Sequence, residues 1–262
     1  MGRIIAVTNQ KGGVGKTTTA VNLAAGLAAC DRRVLLIDLD PQGNATTGSG
    51  VDKTALESTT CDVLLGEARA MDTIIPIEKA GYALLPADSD LTTAEVRLLQ
   101  EIGREMKLLQ ALEPVSSMYD YIFIDCPPSI NMLTLNALTA ANGVLIPIQC
   151  EYYALEGLSS LLETVRKIRN SVNPNIEIEG LLRTMYDPRN KLATEVSAQL
   201  IKHFSDKVYD TVVPRNVRLA EAPSYGVPVM THDPRSRGSE AYMDLAREVI
   251  RHEAPATQAG AA

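Results

Sequence analysis

The chain has 262 residues, 45% of them hydrophobic and 22% charged, with a formal net charge of −7. This suits one large α/β domain with a full-sized core; no run of about 18 or more apolar residues is present to cross a bilayer, and an acidic balance excludes a chain that coats nucleic acid with its whole surface. The four cysteines, Cys30, Cys61, Cys126 and Cys150, lack paired metal-ligand spacing, and the first residues lack a secretory pattern, so reduced thiols and a cytoplasmic setting are expected.

Apolar runs and periodicity predict strands at 4–8, 34–38, 82–86, 121–125, 143–148, 176–184 and 208–213. They alternate with helical patterns at about 16–29, 91–112, 133–141, 154–170, 191–204, 215–222 and 239–252. Such alternation predicts an α/β fold: a single doubly wound, mostly parallel twisted sheet with helices on both faces. Asn142-Gly143 and Asn173-Pro174 punctuate it. Residues 45–80 have no pattern that assigns them. The expected organisation is one domain over 1–253 and a short disordered tail over 254–262, where the residues are small and polar.

The first strand runs into QKGGVGKTTT, residues 10–19. Gly12, Gly13, Val14 and Gly15 form a turn whose backbone N–H groups can curl around phosphate oxygens, with a helix N-terminus behind them. In a loop of this kind Lys16 reaches the β/γ-phosphates, the Thr17 hydroxyl ligates Mg²⁺, and Thr18 follows on the helix. The ordinary pattern has a glycine five residues before Gly15. Here Gln10 stands in that place, and Lys11 adds a second lysine at the front of the loop.

Two later strands end in acids. VLLIDLD places Asp38 and Asp40 at a strand's C-terminal end, where ligands collect in doubly wound sheets. YIFIDCPPS has the Walker B pattern, with Asp125 suited to a magnesium-bound water and Cys126-Pro127-Pro128 beginning a switch loop. An aspartate ending a strand is common in α/β proteins; three of them downstream of a phosphate loop form a constellation.

The loop reads as a deviant Walker A motif, KGGxGK[ST], and on it the chain resembles the ParA/MinD group of P-loop ATPases, which includes the nitrogenase iron protein and the arsenite-pump ATPase. Within that group QCEYYALEGL (149–158), TMYD (184–187), VVPRNVRLAEAP (212–223) and DPRSRG (233–238) are similar to the chromosomal ParA, Soj-type, partition ATPases, so the likeness runs from residue 3 to about 250. It implies ATP and Mg²⁺ as cofactors, and a homodimer that sandwiches two ATP molecules while Lys11 of each subunit crosses to the other's nucleotide. It implies that Asp38 organises the magnesium hydration shell, that Asp40 positions the attacking water, and that Met185 with Pro214, Arg215 and Asn216 walls the adenine pocket. On the residues alone, Met185 reads equally as core and Pro214 as a strand end. Cys126 does not supply the cluster-ligating pattern of the iron protein.

Charge is uneven along the chain. Residues 1–180 hold 14 Lys+Arg against 22 Asp+Glu, while 181–262 hold 11 against 10. By the resemblance, Arg189 and Arg218 form a nonspecific DNA-binding patch on the dimer, and a ParB-type centromere-binding protein stimulates hydrolysis and release, giving a cytoplasmic, nucleoid-associated protein. Arg235 and Arg237 are the next candidates. No helix-turn-helix segment is read before the ATPase core. The resemblance also admits two other readings: a relative that positions another cargo or regulates replication or sporulation, and a MinD-like membrane ATPase. The latter needs a basic amphipathic C-terminal helix, whereas SEAYMDLAREVIRHE carries several acids.

Overall fold

Buried aliphatic runs become the central strands. Val34–Asp38 and Tyr121–Asp125 are buried at every position, as strands covered on both faces must be. The structure, a computed structural model, describes residues 2–253; the tail expected at 254–262 lies outside the described residues. In chain order the elements are β1 (Arg3–Val7), α1 (Lys16–Ala28), β2 (Val34–Asp38), α2 (Asn44–Gly48), α3 (Thr60–Leu65), α4 (Ala70–Thr73), β3 (Ile75–Ile77) and β4 (Tyr82–Leu85). There follow α5 (Leu91–Leu98), α6 (Lys107–Leu112), β5 (Tyr121–Asp125), α7 (Met132–Ala140), β6 (Gly143–Gln149) and α8 (Ala154–Arg169). The last are β7 (Glu177–Tyr186), α9 (Lys191–Phe204), β8 (Val208–Pro214), α10 (Val217–Glu221), α11 (Val229–His232) and α12 (Arg237–Glu253).

The strands lie in one sheet, ordered β3-β4-β2-β5-β1-β6-β7-β8. All neighbours are parallel except the edge pair β3–β4. Strand alternation divides the core in two. Ile4, Ala6, Leu35, Ile37, Ile122 and Ile124 face one layer, which includes residues of α3 and α5–α9. Ile5, Val7, Val34, Leu36, Tyr121 and Phe123 face the other, with α1 and α12. Gly26 lets α1 and α12 approach closely: a Cβ there would sit 3.1 Å from Ala246 Cβ, Met230 Cε and the Tyr242 carbonyl oxygen.

The fold class matches the expectation, and three stretches differ in detail. The helix expected over 91–112 is broken into α5 and α6, because Gly103 takes a left-handed φ of 64° and Ile102 is almost fully exposed. The unassigned residues 45–80 hold α2, α3, α4 and β3. Of these, α3 is stopped at both ends by local chemistry: Thr59 and Asp62 form a capping box, and Gly66 closes the helix at φ 73°. The helix expected at 215–222 is the shorter α10, opened by the Asn216 side chain accepting the Arg218 N–H.

Candidate nucleotide site

Register brings the acids to the loop. In the β1–β5 pair Val7 lies opposite Asp125, and in the β2–β5 pair Asp38 lies opposite Asp125. The phosphate loop and two aspartates therefore emerge side by side at the C-terminal edge of the sheet. Gly13 and Gly15 have φ of 73° and 90°, a region where a side chain is strained. Gly15 is the N-cap of α1 and offers no side-chain cap, so the helix's first N–H groups and the positive end of its dipole are left for an anion. Neighbouring strands hold the loop in place: Thr184 Oγ1 donates to the Val14 carbonyl at 2.8 Å, and Asn9 Nδ2 donates to the Pro147 carbonyl at 2.8 Å.

The two lysines are handled differently. Lys16 is 7% exposed, and its Nζ donates to the Lys11 carbonyl at 3.2 Å across the loop. Burial lowers its pKa, while Asp125, Cys126 and Asp40 pull it back up. Lys11 is half exposed, its N–H donating to Asn9 Oδ1 at 3.0 Å and its Nζ paired with the half-exposed Glu151.

Asp38 is fully buried and fully bonded. Its Oδ2 accepts from Thr46 N and Thr46 Oγ1, both at 2.8 Å, and its Oδ1 accepts from Asp40 N at 3.2 Å. Burial still outweighs these bonds and raises its pKa to about 6. Asp40 is 8% exposed and accepts the Gln42 N–H at 2.9 Å. Asp125 is the outlier: neither of its buried carboxylate oxygens accepts a well-formed hydrogen bond among the described residues, the Thr17 hydroxyl lying close enough only to offset part of the effect of burial. Burial, and after it the charge of Asp38, push its pKa well above the carboxylate range, with the nearby Thr17 hydroxyl acting the other way. Two orphaned acceptors beside Thr17 and Asp38 form an oxygen donor set that fits a hydrated divalent cation, which keeps several of its waters.

A cavity of about 680 Å³ opens over this edge. Its lining includes Gly12, Gly13, Gly15, Lys16, Thr17, Thr18 and Asp40 on one side and Met185, Pro214, Arg215 and Asn216 on the other. The two sequence segments thus wall one space of a size suited to a nucleotide. Met185 is not a core residue; it sits at a left-handed φ of 48° where β7 leaves the sheet. The sequence reading missed Thr184, Gln42, Asn44 and Tyr242, which also line the cavity. Tyr242 reaches it from α12, its hydroxyl 3.0 Å from Thr19 Oγ1, and no local signal announced that contact. Thr46 was missed as well; its hydroxyl donates to Asp38 and accepts the Ala87 N–H at 2.9 Å.

Arg189 and Arg218 lie outside that lining. Arg189 borders a neighbouring cavity of about 750 Å³ with Arg215 and Arg237, and is highly exposed. Arg218 is half exposed on α10.

Fold and loop together define a P-loop nucleoside-triphosphatase with a deviant Walker A motif. A family model described as an AAA domain matches residues 2–178. The chain is 53% identical over 253 residues to the chromosome partitioning protein ParA of Caulobacter vibrioides, covering 96% of this chain and 95% of that one. It is 55% identical over 249 residues to the sporulation initiation inhibitor protein Soj of Bacillus subtilis, covering 95% and 98%. Among solved structures, cobyrinic acid a,c-diamide synthase from Mycobacterium smegmatis with bound ADP and magnesium is similar at a TM-score of 0.85 and 38% identity, over 97% of this chain and 96% of that one. The chain belongs to the ParA/Soj family of chromosome-partitioning ATPases.

Proposed function

We propose that residues 1–253 form one ATPase domain that uses ATP to switch DNA binding on and off during chromosome partition. The observation that carries this reading is the meeting, over one cavity, of the phosphate loop with Lys16, Asp40 and the Met185 and Pro214–Asn216 wall, with Asp38 and Asp125 brought to the same sheet edge by strand register. The loop amides and Lys16 hold the β/γ-phosphates, Met185, Pro214, Arg215 and Asn216 flank the adenine, and Asp40 orients the attacking water, since phosphoryl transfer depends on positioning more than on a strong base. The Thr17 hydroxyl, with Asp38 and Asp125 through water, would hold Mg²⁺, which would supply charge neutralisation on the phosphates.

Lys11 leaves Glu151 and crosses to the other subunit's nucleotide in an ATP-sandwich homodimer. A cation delivered in this way to the charge of the transition state resembles an arginine finger, worth roughly 10³–10⁵ in rate in GTPases. Dimerisation places two copies of Arg189 and Arg218 on one surface, and nonspecific affinity rises steeply with the number of phosphates contacted. A ParB-type partner stimulates hydrolysis, the subunits part, and DNA is released. The protein works in the cytoplasm on the nucleoid. No described helix is long and apolar enough to cross a membrane, and the acids on α12 argue against a membrane-surface role.

Binding to unrelated duplexes with ATP, with ADP and without nucleotide, at two salt concentrations, tests the proposal. Tight binding with ATP alone, weakened by salt, is expected. Equal binding in all three states would refute it. ATP-dependent dimers that ignore DNA would favour the cargo-positioning or regulatory reading, which the name of the Bacillus subtilis relative also suggests.

A further inference from the structure

The two arginines assigned to DNA are each gripped by carboxylates of their own chain. Asp187 takes the Arg189 guanidinium two-pronged: Nε donates to Oδ1 at 3.0 Å and Nη2 to Oδ2 at 2.8 Å. Arg218 lies between two acids, Nη1 donating to Glu221 Oε2 at 2.8 Å and Nε 3.2 Å from Asp233 Oδ2. The Arg189 pair has the fork geometry in which a guanidinium grips a phosphate, while Arg218 spreads its donors over two acids. Carboxylate pairing is common among the arginines of this chain, as at Arg33, Arg69 and Arg247, but on the cationic side of the cavity wall it falls on these two, and among the described residues no carboxylate forms an ion pair with Arg215, Arg235 or Arg237. Both arginines follow closely on residues of the cavity wall: Met185 precedes Arg189 on the turn after β7, and Asn216, which caps α10, precedes Arg218 in the first turn of that helix.

We infer that Asp187 and the Glu221–Asp233 pair are internal phosphate mimics: they occupy Arg189 and Arg218 until a DNA backbone displaces them, and so set the salt concentration at which the surface releases DNA. The inference rests on the proposal that these arginines touch DNA. A self-paired arginine is nearly neutral at long range, so a lone subunit draws DNA weakly and contact becomes favourable only when several exchanges occur together on a dimer. Each exchange also frees a carboxylate, which takes up a cation from solution and cancels part of the counterion release that drives binding.

Asp187→Asn isolates the charge, because asparagine keeps the side-chain oxygen that accepts the Arg189 N–H at 3.0 Å. Glu221→Gln is the parallel variant, should the first fail to fold. DNA affinity is measured by fluorescence anisotropy on two unrelated duplexes with a non-hydrolysable ATP analogue across a salt series, with dimer formation checked by sedimentation. Asp187→Asn is expected to tighten binding about two- to thirtyfold, the range of exposed ion pairs counted twice in a twofold dimer. It should also steepen the log–log salt slope by up to about two. In an Arg189→Ala background the gain should vanish, since the acid acts through that arginine. Unchanged or weaker binding by Asp187→Asn, while Arg189→Ala loses affinity, would overturn the mimic and leave the DNA surface standing. An equal gain with and without Arg189 would also overturn it, showing a general effect of net charge. If neither Arg189→Ala nor Arg218→Ala changes binding, the DNA surface itself is wrong.

Discussion

Lys16 and Asp125 carry opposite costs in the nucleotide-free protein, and each yields a separate test. Lys16 is a buried cation whose hydrogen bond within the loop goes only to a carbonyl. Removing it leaves neutral amides to face the phosphates, so Lys16→Ala should weaken ATP binding at least about 100-fold, a charged hydrogen bond and more. Titration with a fluorescent ATP analogue checks this, and unchanged affinity would refute the loop assignment. Asp125 has a folded pKa raised above its ordinary value of 3.8. The folded state therefore holds a proton that the unfolded state gives up, and this contribution to stability is present at low pH and is lost as pH rises toward the folded pKa. Asp38 adds to the same trend between 3.8 and about 6. Asparagine at 125 carries no such cost. The thermal midpoint of Asp125→Asn without nucleotide or divalent cation should therefore gain on wild type as pH rises above 3.8, the gain levelling off once the folded pKa of Asp125 is passed. A difference that stays constant from pH 3.8 upward would mean that Asp125 is not a strained buried acid. The loop and the three aspartates were legible in the sequence, because glycine φ angles and strand-end acids are local facts. Thr46, Thr184 and Tyr242 were not: each acts across the fold, and their neighbours in sequence say nothing of Asp38, Val14 or Thr19.

At the scale of elements, the phosphate loop and the segment after β2 separate two functions. Gly12 does not need a left-handed φ, and a Cβ built there meets nothing within 4 Å. Gly12→Val should thus fold, and in the sandwich model it binds ATP and clashes only with a second subunit. Asp40→Ala keeps the loop and its lysines but loses the group proposed to orient water, so it should bind ATP and accumulate as a dimer. Size-exclusion chromatography with ATP separates the cases; a monomeric Asp40→Ala or a dimeric Gly12→Val would contradict the sandwich. Gly15→Ala is the contrasting control, since φ 90° strains any side chain. Elements with continuous apolar runs were readable, whereas the 45–80 stretch was not. Its helices span only four to six residues, too short for a period to show. β3 is a three-residue edge strand with Pro76 in its middle, a pattern that normally argues against a strand.

For the whole molecule the claim is that nucleotide controls DNA through dimerisation. Each arginine occurs twice in a twofold dimer. Arg218→Ala should therefore lower the log–log salt slope by at most about two, less the part that the freed acids take back, and by the same amount on any duplex, because phosphate contacts carry no base information. Slopes that depend on the duplex would indicate base reading instead. The paired acids explain why a sequence count of positive charge describes this surface poorly: the last third of the chain is nearly balanced in charge, and its two candidate arginines are held by its own carboxylates. The most direct single measurement compares the DNA affinity of wild type, Asp40→Ala and Gly12→Val with saturating ATP at one moderate salt concentration. Asp40→Ala should bind at least as tightly as wild type, while Gly12→Val, though loaded with ATP, should bind no better than wild type with ADP. Tight DNA binding by ATP-loaded, monomeric Gly12→Val would contradict the account.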